Sequence, residues 1–440
     1  MDFYKEAELK TFEIETLGCK VNEYESAFYT DQLEKAGYRR KEEGETADLL
    51  LINTCTVTNT AAAKSRRKIN RLKRENPEAF VVVCGCYAQM LDGRARQALP
   101  ADLVIGASHK NELIEQIEKA RKQKEPLILV EESRDLTRFE SMPIGTFEGQ
   151  HRAFLKIQDG CNQFCAYCQI PLARGPERSQ VPEEVIASAR KLADAGHLEI
   201  VLTGIHTGRY RFRQTDLADL LEMLLEQTPE TVCYRLSSIE ITEVNDRILA
   251  LMEKNPRILP HLHIPIQAGD NRTLARMKRP YSVEQFKQRL EEIRRRIPDI
   301  SISTDVICGF VQESDDEFET TVQTLKDCRF SFLHVFPYSR RAGTAADSMS
   351  GFVDGNTVKA RTERLLALSR ELRKQDMKRF VSSQMLIERP DPSRPGWYLG
   401  YTSQYQPAQI YSKTVLSGRI NVRMIESENE RYTVVAEGGR

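Results

Sequence analysis

The chain has 440 residues, too many for one ordinary core at roughly 150 residues per domain, so several domains are expected. Lysine plus arginine and aspartate plus glutamate both number 64, which excludes binding of nucleic acid through global charge and leaves only local basic patches for that purpose. With 40% hydrophobic and 29% charged residues the composition is that of a globular protein, and the longest apolar runs fall far short of the roughly 20 residues a membrane span needs.

The first ten residues, MDFYKEAELK, lack the apolar core of a signal peptide, so a cytoplasmic protein without membrane contact is expected. From Phe12 to about Arg121, apolar segments (FEIETLG, DLLLINT, FVVVCGC) alternate with helical stretches, one of them near Ala27 to Lys35 and another strongly basic. That rhythm predicts a parallel α/β domain over residues 10–125. Each of the three strand segments ends at a cysteine. Ligands collect at the carboxyl ends of strands in open α/β sheets, so Cys19, Cys55 and Cys86 are expected to converge on one site.

Residues 126–150, with mixed charge, Pro143, Gly145 and Gly149, read as a linker. Strand and helix signals then recur (AFLKIQ, EIVLTG, YRLSSIE, HLHIPIQ, SISTDVICGF, FLHVFPYS), which predicts a partial or complete (β/α) barrel over residues 151–380 with its chemistry at the strand carboxyl ends. The tail, residues 381–440, changes to short alternating segments between Gly and Pro, the pattern of a small all-β barrel. The fold class is therefore α/β with an appended all-β module.

Ten cysteines in a reducing compartment point to metal or redox chemistry before disulfides. Cys161, Cys165 and Cys168 form a Cys-x3-Cys-x2-Cys run directly after the first barrel strand. Zinc sites usually use four ligands, whereas this run supplies three. Three thiolates on a four-iron cluster leave one iron open to chelate the amino and carboxylate groups of S-adenosylmethionine (SAM), and the spacing resembles the signature of the radical SAM superfamily. A zinc knuckle is the competing reading.

The stretches TLGCKVNEYES, INTCTVT and VVCGCYAQ resemble the amino-terminal domain of the methylthiotransferases, and the resemblance extends over nearly the whole chain to a tail, GYTSQYQP, similar to the RNA-binding TRAM domain. It implies two four-iron, four-sulfur (4Fe-4S) clusters, one on Cys161, Cys165 and Cys168 and a second on Cys19, Cys55 and Cys86, facing a shared chamber. Cys84 is then a packed strand residue, and Cys233, Cys308 and Cys328 are structural. LGCKVN, NTCTVT and KSRR look like the branch that converts N6-threonylcarbamoyladenosine at position 37 of tRNA to its 2-methylthio derivative. The alternatives are methylthiolation of isopentenyladenosine tRNA or of a ribosomal-protein aspartate, and a non-enzymatic, zinc-stabilised RNA-binding protein.

By family position, SAM contacts fall on Tyr167 (adenine), Thr203 and Gly204 (methionine amine), Ser237, Ser238 and Glu240 (ribose), and Gln267 and Asp305 (barrel interior). Arg174 is expected to pair with a carboxylate of SAM or of the threonyl group, with an ordinary structural salt bridge as the alternative. The implied partners are the tRNA anticodon loop, a reductant such as flavodoxin or ferredoxin, and a sulfur donor that the sequence does not identify. RNA contact is expected from Lys64 to Arg74, from Arg294 to Arg296, and above all from Arg209, Arg211 and Arg213, where aromatics interleave with arginines. The chain departs from the family pattern at Val311 and Gln312, usually Pro and Gly, at Ala268, usually Ser, and at Arg209 and Arg211, usually glycines.

Overall fold

The computed structural model describes residues 10–147, 150–428 and 430–437. The signal-peptide reading at the amino terminus therefore falls almost wholly outside the described residues, as do Gly149 of the expected linker and the last three residues of the tail. The chain divides into two compact units: residues 1–144, 159–163 and 168–180, and residues 145–158, 164–167 and 181–440.

The first unit is built on a six-stranded, all-parallel sheet of strands β1 (Thr11–Thr16), β2 (Arg39–Arg40), β3 (Leu49–Thr54), β4 (Phe80–Gly85), β5 (Leu103–Ile105) and β6 (Leu127–Leu129), in the order β2-β1-β3-β4-β5-β6. Every residue of β3 is buried, as a central parallel strand covered on both faces requires. β6 lies inside the stretch read as linker, because LIL is too short a run to separate from its charged surroundings without the sheet edge it joins. Helix α1 (Lys20–Lys35) starts two turns earlier than the Ala27 to Lys35 segment, taking in the KVNEYES motif. Helix α2 (Asn59–Glu75) is the basic helix, capped by the Thr58 side chain on the Ala61 N–H, and α3 (Cys86–Met90) follows β4 directly.

In the second unit, strands Cys233–Leu236, Glu199–Thr203 and Arg152–Lys156 form one parallel triplet, and His261–His263, Ser301–Cys308 and Phe332–Pro337 form another. Parallel bridges Tyr234 to Ile258 and Ser238 to His263 join the triplets, which makes a six-stranded partial barrel. Helix Gly355–Met377 ends it, and strands Ser382–Pro390, Trp397–Thr402, Pro407–Tyr411, Arg419–Glu428 and Arg431–Ala436 close into the expected small barrel. Among the described residues no helix is long and apolar enough to cross a membrane.

A buried charge cluster ties the small barrel to the larger one. Glu199 accepts from Arg152 Nε at 2.9 Å and from Arg235 Nε at 2.7 Å, Arg235 Nη1 donates to the Ser403 carbonyl at 3.0 Å, and both guanidinium groups lie over the Tyr405 ring. Burial opposes ionisation of Glu199, but Arg235 and Arg152 outweigh it and hold the carboxyl at about 2.

Glu199→Gln takes from the buried Arg235 its carboxylate and leaves Arg152 with Glu388, and should cost up to about 3–5 kcal/mol at neutral pH. The carboxylate's contribution is complete above the ordinary glutamate value of about 4.3 and is lost as pH falls towards about 2. Urea midpoints measured against pH should therefore fall less steeply over that acid window in the variant than in the parent.

Candidate iron-sulfur sites

The register of the first sheet brings its cysteines together. Thr16 pairs with Asn53 and Thr54 with Gly85, so β1, β3 and β4 end nearly level, and Cys55 and Cys86 each stand one residue beyond the paired Thr54 and Gly85. Two glycines set the turns. Gly18 (φ +119°) and Gly85 (φ +93°) adopt backbone conformations that L side chains rarely adopt. A Cβ on Gly18 would stand 2.9 Å from Cys55 Cβ, and one on Gly85 would stand 2.6 Å from the Thr54 carbonyl. The Gly-Cys pairs of LGCKVN and CGCYAQ are thus a requirement of close packing at the strand ends. The thiol of Cys55 is pushed up to about 11, chiefly by burial, and it senses the charges of both Cys86 and Cys19. A metal taking this site must therefore displace protons from its thiols.

Arg174 completes the cluster of side chains. The segment that carries Cys161 and Cys168 continues through the short helix Ile170–Arg174, and the Arg174 guanidinium is buried with Nε 3.3 Å from Cys86 Sγ. Its Nη1 donates to Glu25 Oε1 at 2.9 Å and Asp159 Oδ1 at 3.2 Å, and its Nη2 donates to Asn22 Oδ1 at 2.8 Å. Lys110 Nζ reaches the same Glu25 carboxylate at 2.8 Å and Arg178 Nη2 reaches Asp159 at 3.5 Å. Lys110, Arg174 and Arg178 thus share the carboxylates of Glu25 and Asp159, and of the three it is the Arg174 guanidinium that donates to the Cys86 thiol. Asn22 donates to the carbonyls of Leu17 at 2.6 Å and Thr54 at 3.0 Å, which locks the ends of β1 and β3 to the guanidinium. In this structure Arg174 makes the structural salt bridge, with Glu25 and Asp159 of the protein itself. The sequence marks none of this, since Glu25, Lys110, Asp159 and Arg174 are up to 149 residues apart.

Within the second unit, Cys165 Sγ accepts from Arg279 Nη1 at 3.2 Å, Arg279 also binds Glu240, and its Nε lies 3.0 Å from the Tyr281 hydroxyl. Tyr167 interacts electrostatically with the same guanidinium, so two residues expected around SAM, Tyr167 and Glu240, meet at one arginine. Arg279 itself escaped the sequence reading because RMKRPYS carries no motif that separates it from its basic neighbours. The other expected SAM residues are spread along the strand ends. Thr203 donates to the Val201 carbonyl of its own strand at 3.2 Å, Gly204 packs against Gln158, and Ser237 hydrogen-bonds Thr207 at 3.0 Å. Ser238 bridges to His263, the Gln267 (φ +66°) N–H donates to the Asp305 carbonyl at 2.9 Å while its carbonyl accepts from the Ile307 N–H at 2.8 Å, and Asp305 Oδ1 lies 3.1 Å from His263 Nε2. Arg209 is drawn to Glu243 at 3.3 Å, Arg211 pairs in a two-residue hairpin with Asp216, and the Arg213 guanidinium lies over Phe212.

The departures from pattern are structural. Gln312 adopts φ +63°, a conformation that suits the usual glycine, and its Nε2 donates to the Ser350 carbonyl at 2.9 Å. Val311 and Ala268 are fully buried. Cys84, Cys233, Cys308 and Cys328 are buried too, and burial lifts the Cys84 thiol to about 12.

Both cysteine sets suit thiolate ligation of iron. N–H groups point at sulfur from Val57 to Cys55 (3.5 Å), Gln163 to Cys161 (3.4 Å) and Ile170 to Cys168 (3.4 Å), in addition to the two arginines on Cys86 and Cys165. Such donors stabilise the negative charge of cluster sulfurs and raise cluster potentials.

Comparison with known proteins agrees with this geometry. Residues 11–106 match the model described as uncharacterized protein family UPF0004, and residues 155–325 match the radical SAM superfamily. The chain is 38% identical over 418 residues to the threonylcarbamoyladenosine tRNA methylthiotransferase MtaB of Bacillus subtilis, covering 94% of this chain and 93% of that one. It is 35% identical to the protein of the same name from Thermotoga maritima, covering 90% of each. The chain belongs to the radical SAM methylthiotransferase family. Its fold is shared by TsrM of Kitasatospora setae, a radical SAM methyltransferase solved with cobalamin and a 4Fe-4S cluster, at a TM-score of 0.58 and 12% identity over 77% of each chain.

For a radical SAM methylthiotransferase, the arginine on Cys86 is a test of the amino-terminal site. Arg174→Met should lower the midpoint potential of a cluster bound at that site in an EPR-monitored titration and destabilise the fold by up to about 3–5 kcal/mol, because Glu25 keeps only its Lys110 ion pair and loses the guanidinium. Arg174→Lys, which keeps the charge but not the forked donor, should fall between parent and Met variant. An unchanged potential in both would show that Arg174 serves packing alone.

Proposed function

We propose that this chain converts N6-threonylcarbamoyladenosine at position 37 of tRNA to its 2-methylthio derivative. The observation that carries the reading is the placement of Cys19, Cys55 and Cys86 at three adjacent strand ends beside Arg174, in a chain whose relatives bear the threonylcarbamoyladenosine methylthiotransferase name over nearly their full length. On this reading residues 10–125 bind the second cluster, residues 151–380 carry the radical SAM chemistry and residues 381–440 bind RNA as a TRAM-like module, while β6 (Leu127–Leu129) extends the first sheet past residue 125. The place of work is the cytoplasm.

The target is an aromatic C–H bond that no general base of a protein removes at neutral pH, so the difficult chemistry belongs to cofactors and the protein orients them. When bound, two 4Fe-4S clusters and SAM supply one-electron cleavage, hydrogen abstraction, and sulfur and methyl transfer. The residues do the rest. Cys161, Cys165 and Cys168 would hold the cluster at which SAM binds, three thiolates for a cluster of four irons. Tyr167, Thr203, Gly204, Ser237, Ser238, Glu240, Gln267 and Asp305 line the SAM side, with Arg279 fixing Glu240 and donating to Cys165. Cys19, Cys55 and Cys86 hold the second cluster, with the Arg174 N–H aimed at Cys86. Flavodoxin or ferredoxin supplies the electron, and a sulfur donor replenishes the transferred atom.

Nucleoside mass spectrometry of tRNA from cells lacking the gene decides the substrate. The 2-methylthio form of threonylcarbamoyladenosine should disappear and the unmodified form accumulate, and restoring the gene should reverse both. Persistence of that product with loss of methylthio-isopentenyladenosine, or of a methylthiolated ribosomal-protein aspartate, would move the chain to another branch.

A further inference from the structure

Three basic segments stand out in the sequence, and the structure treats them differently. At the end of helix Val283–Arg296, Arg294 donates to the Cys328 and Arg329 carbonyls at 2.6 and 2.8 Å, and Arg296 binds Glu253 at 2.6 Å, so two of three arginines are spent inside the fold. Arg209 is drawn to Glu243 and Arg213 covers Phe212. Helix α2 is the exception. Lys68 is tied to Glu15 at 2.9 Å and Lys73 to the Ala79 carbonyl, but Lys64, Arg67, Arg71 and Arg74 are all exposed. Among the described residues, the acid within ion-pair reach of these four is Glu75, 3.5 Å from Arg71 in a well-exposed pair that adds little.

The four positions are spaced three, four and three residues apart, which at 100° per residue places them in one stripe about 80° wide and about 15 Å long. It lies opposite the buried face of Ser65, Ile69 and Leu72. Like charges at such spacings repel, and a surface helix serving only solubility would intersperse carboxylates among them. The stripe is also anchored to a cluster ligand. Ser65 Oγ accepts from the Cys55 N–H at 3.2 Å and lies 3.1 Å from the Cys55 carbonyl, so α2 and the cysteine loop move as one piece.

We propose that the exposed face of α2 formed by Lys64, Arg67, Arg71 and Arg74 is a docking rail for the sugar–phosphate backbone of the tRNA substrate. This rests on the reading of the chain as a tRNA-modifying enzyme. A row of cations without aromatic or apolar side chains suits repeated phosphates, which set the register of an RNA without reading its bases. The apolar core of a protein–protein interface is missing from the face. Three of the four are arginines, whose forked donors match phosphate oxygens in pairs. Through Ser65, a phosphate contact on α2 fixes the distance from the RNA backbone to Cys55.

The test uses the cluster-loaded full chain and unmodified-at-C2, threonylcarbamoylated tRNA. Replacing Lys64, Arg67, Arg71 and Arg74 together by Ala should weaken tRNA binding at least tenfold at physiological salt and raise KM with little change in kcat. The slope of log affinity against log salt should become shallower by about three. Iron content, thermal unfolding and tRNA-independent SAM cleavage should match the parent, and lysines at the three arginine positions should restore most of the binding. The control Arg295→Ala, on an exposed arginine of the other basic helix, should leave binding as it was. Parental affinity and salt slope in the quadruple variant would overturn the rail, as would a loss confined to reduction by an acidic electron carrier. If the parent itself neither binds nor modifies tRNA, the functional reading fails first, and the rail with it.

Discussion

The constraint on which the amino-terminal site depends is the need to keep a buried guanidinium charged beside a cysteine. Arg174 is buried against Cys86, Glu25 and Asp159, and those negative groups outweigh the burial that would otherwise favour its neutral form. A charge in that position cannot be left unmatched, so Glu25, Lys110, Asp159 and Arg178 follow from it, and Asn22 is the strap that fastens the assembly to the ends of β1 and β3. The loop bearing Cys161 and Cys168 is thereby tied to the sheet bearing Cys19, Cys55 and Cys86 within one compact unit.

The same device recurs in the barrel. Arg279 is buried against Cys165 and matched by Glu240, so in each unit a cysteine of the candidate sites receives an arginine N–H and each arginine is paired with a carboxylate. Glu199 with Arg152 and Arg235 applies the rule away from the cysteines, where the product is cohesion between the partial barrel and the small carboxy-terminal one. Paired buried charges fix geometry in all three places because any change of partner leaves an ion stranded in a poor solvent for it.

Much of this was legible in the sequence, and the boundary of legibility has a physical cause. The strands FEIETLG, DLLLINT and FVVVCGC announce themselves through uninterrupted apolar runs, and Cys161, Cys165 and Cys168 through local spacing. The convergence of Cys19, Cys55 and Cys86 followed from a topological rule about strand ends. What stayed hidden was long-range pairing between charges: the sequence does not show that Glu25 and Asp159 are the acids that meet Arg174, and Arg279 was not singled out. The RYRFR segment looked like the best RNA contact by composition, and Arg209 has Glu243 as partner, while the outward cations of KSRRKINRLKR meet only Glu75, on Arg71, among the described residues. A basic run does not reveal whether acids from elsewhere fold onto it. Likewise KVNEYES reads as a motif and not as the first turns of α1, because its apolar spacing is sparse and its burial comes from the sheet beneath it.

The central claim is that six cysteines form two independent iron sites. The most direct measurement is Mössbauer spectroscopy with metal analysis on two reciprocal variants purified without oxygen, one with Cys19, Cys55 and Cys86 replaced by Ala and one with Cys161, Cys165 and Cys168 replaced. Each should retain about four irons with the spectrum of a single 4Fe-4S cluster. Stoichiometric zinc, or loss of all iron from either variant while it remains folded, would contradict the account.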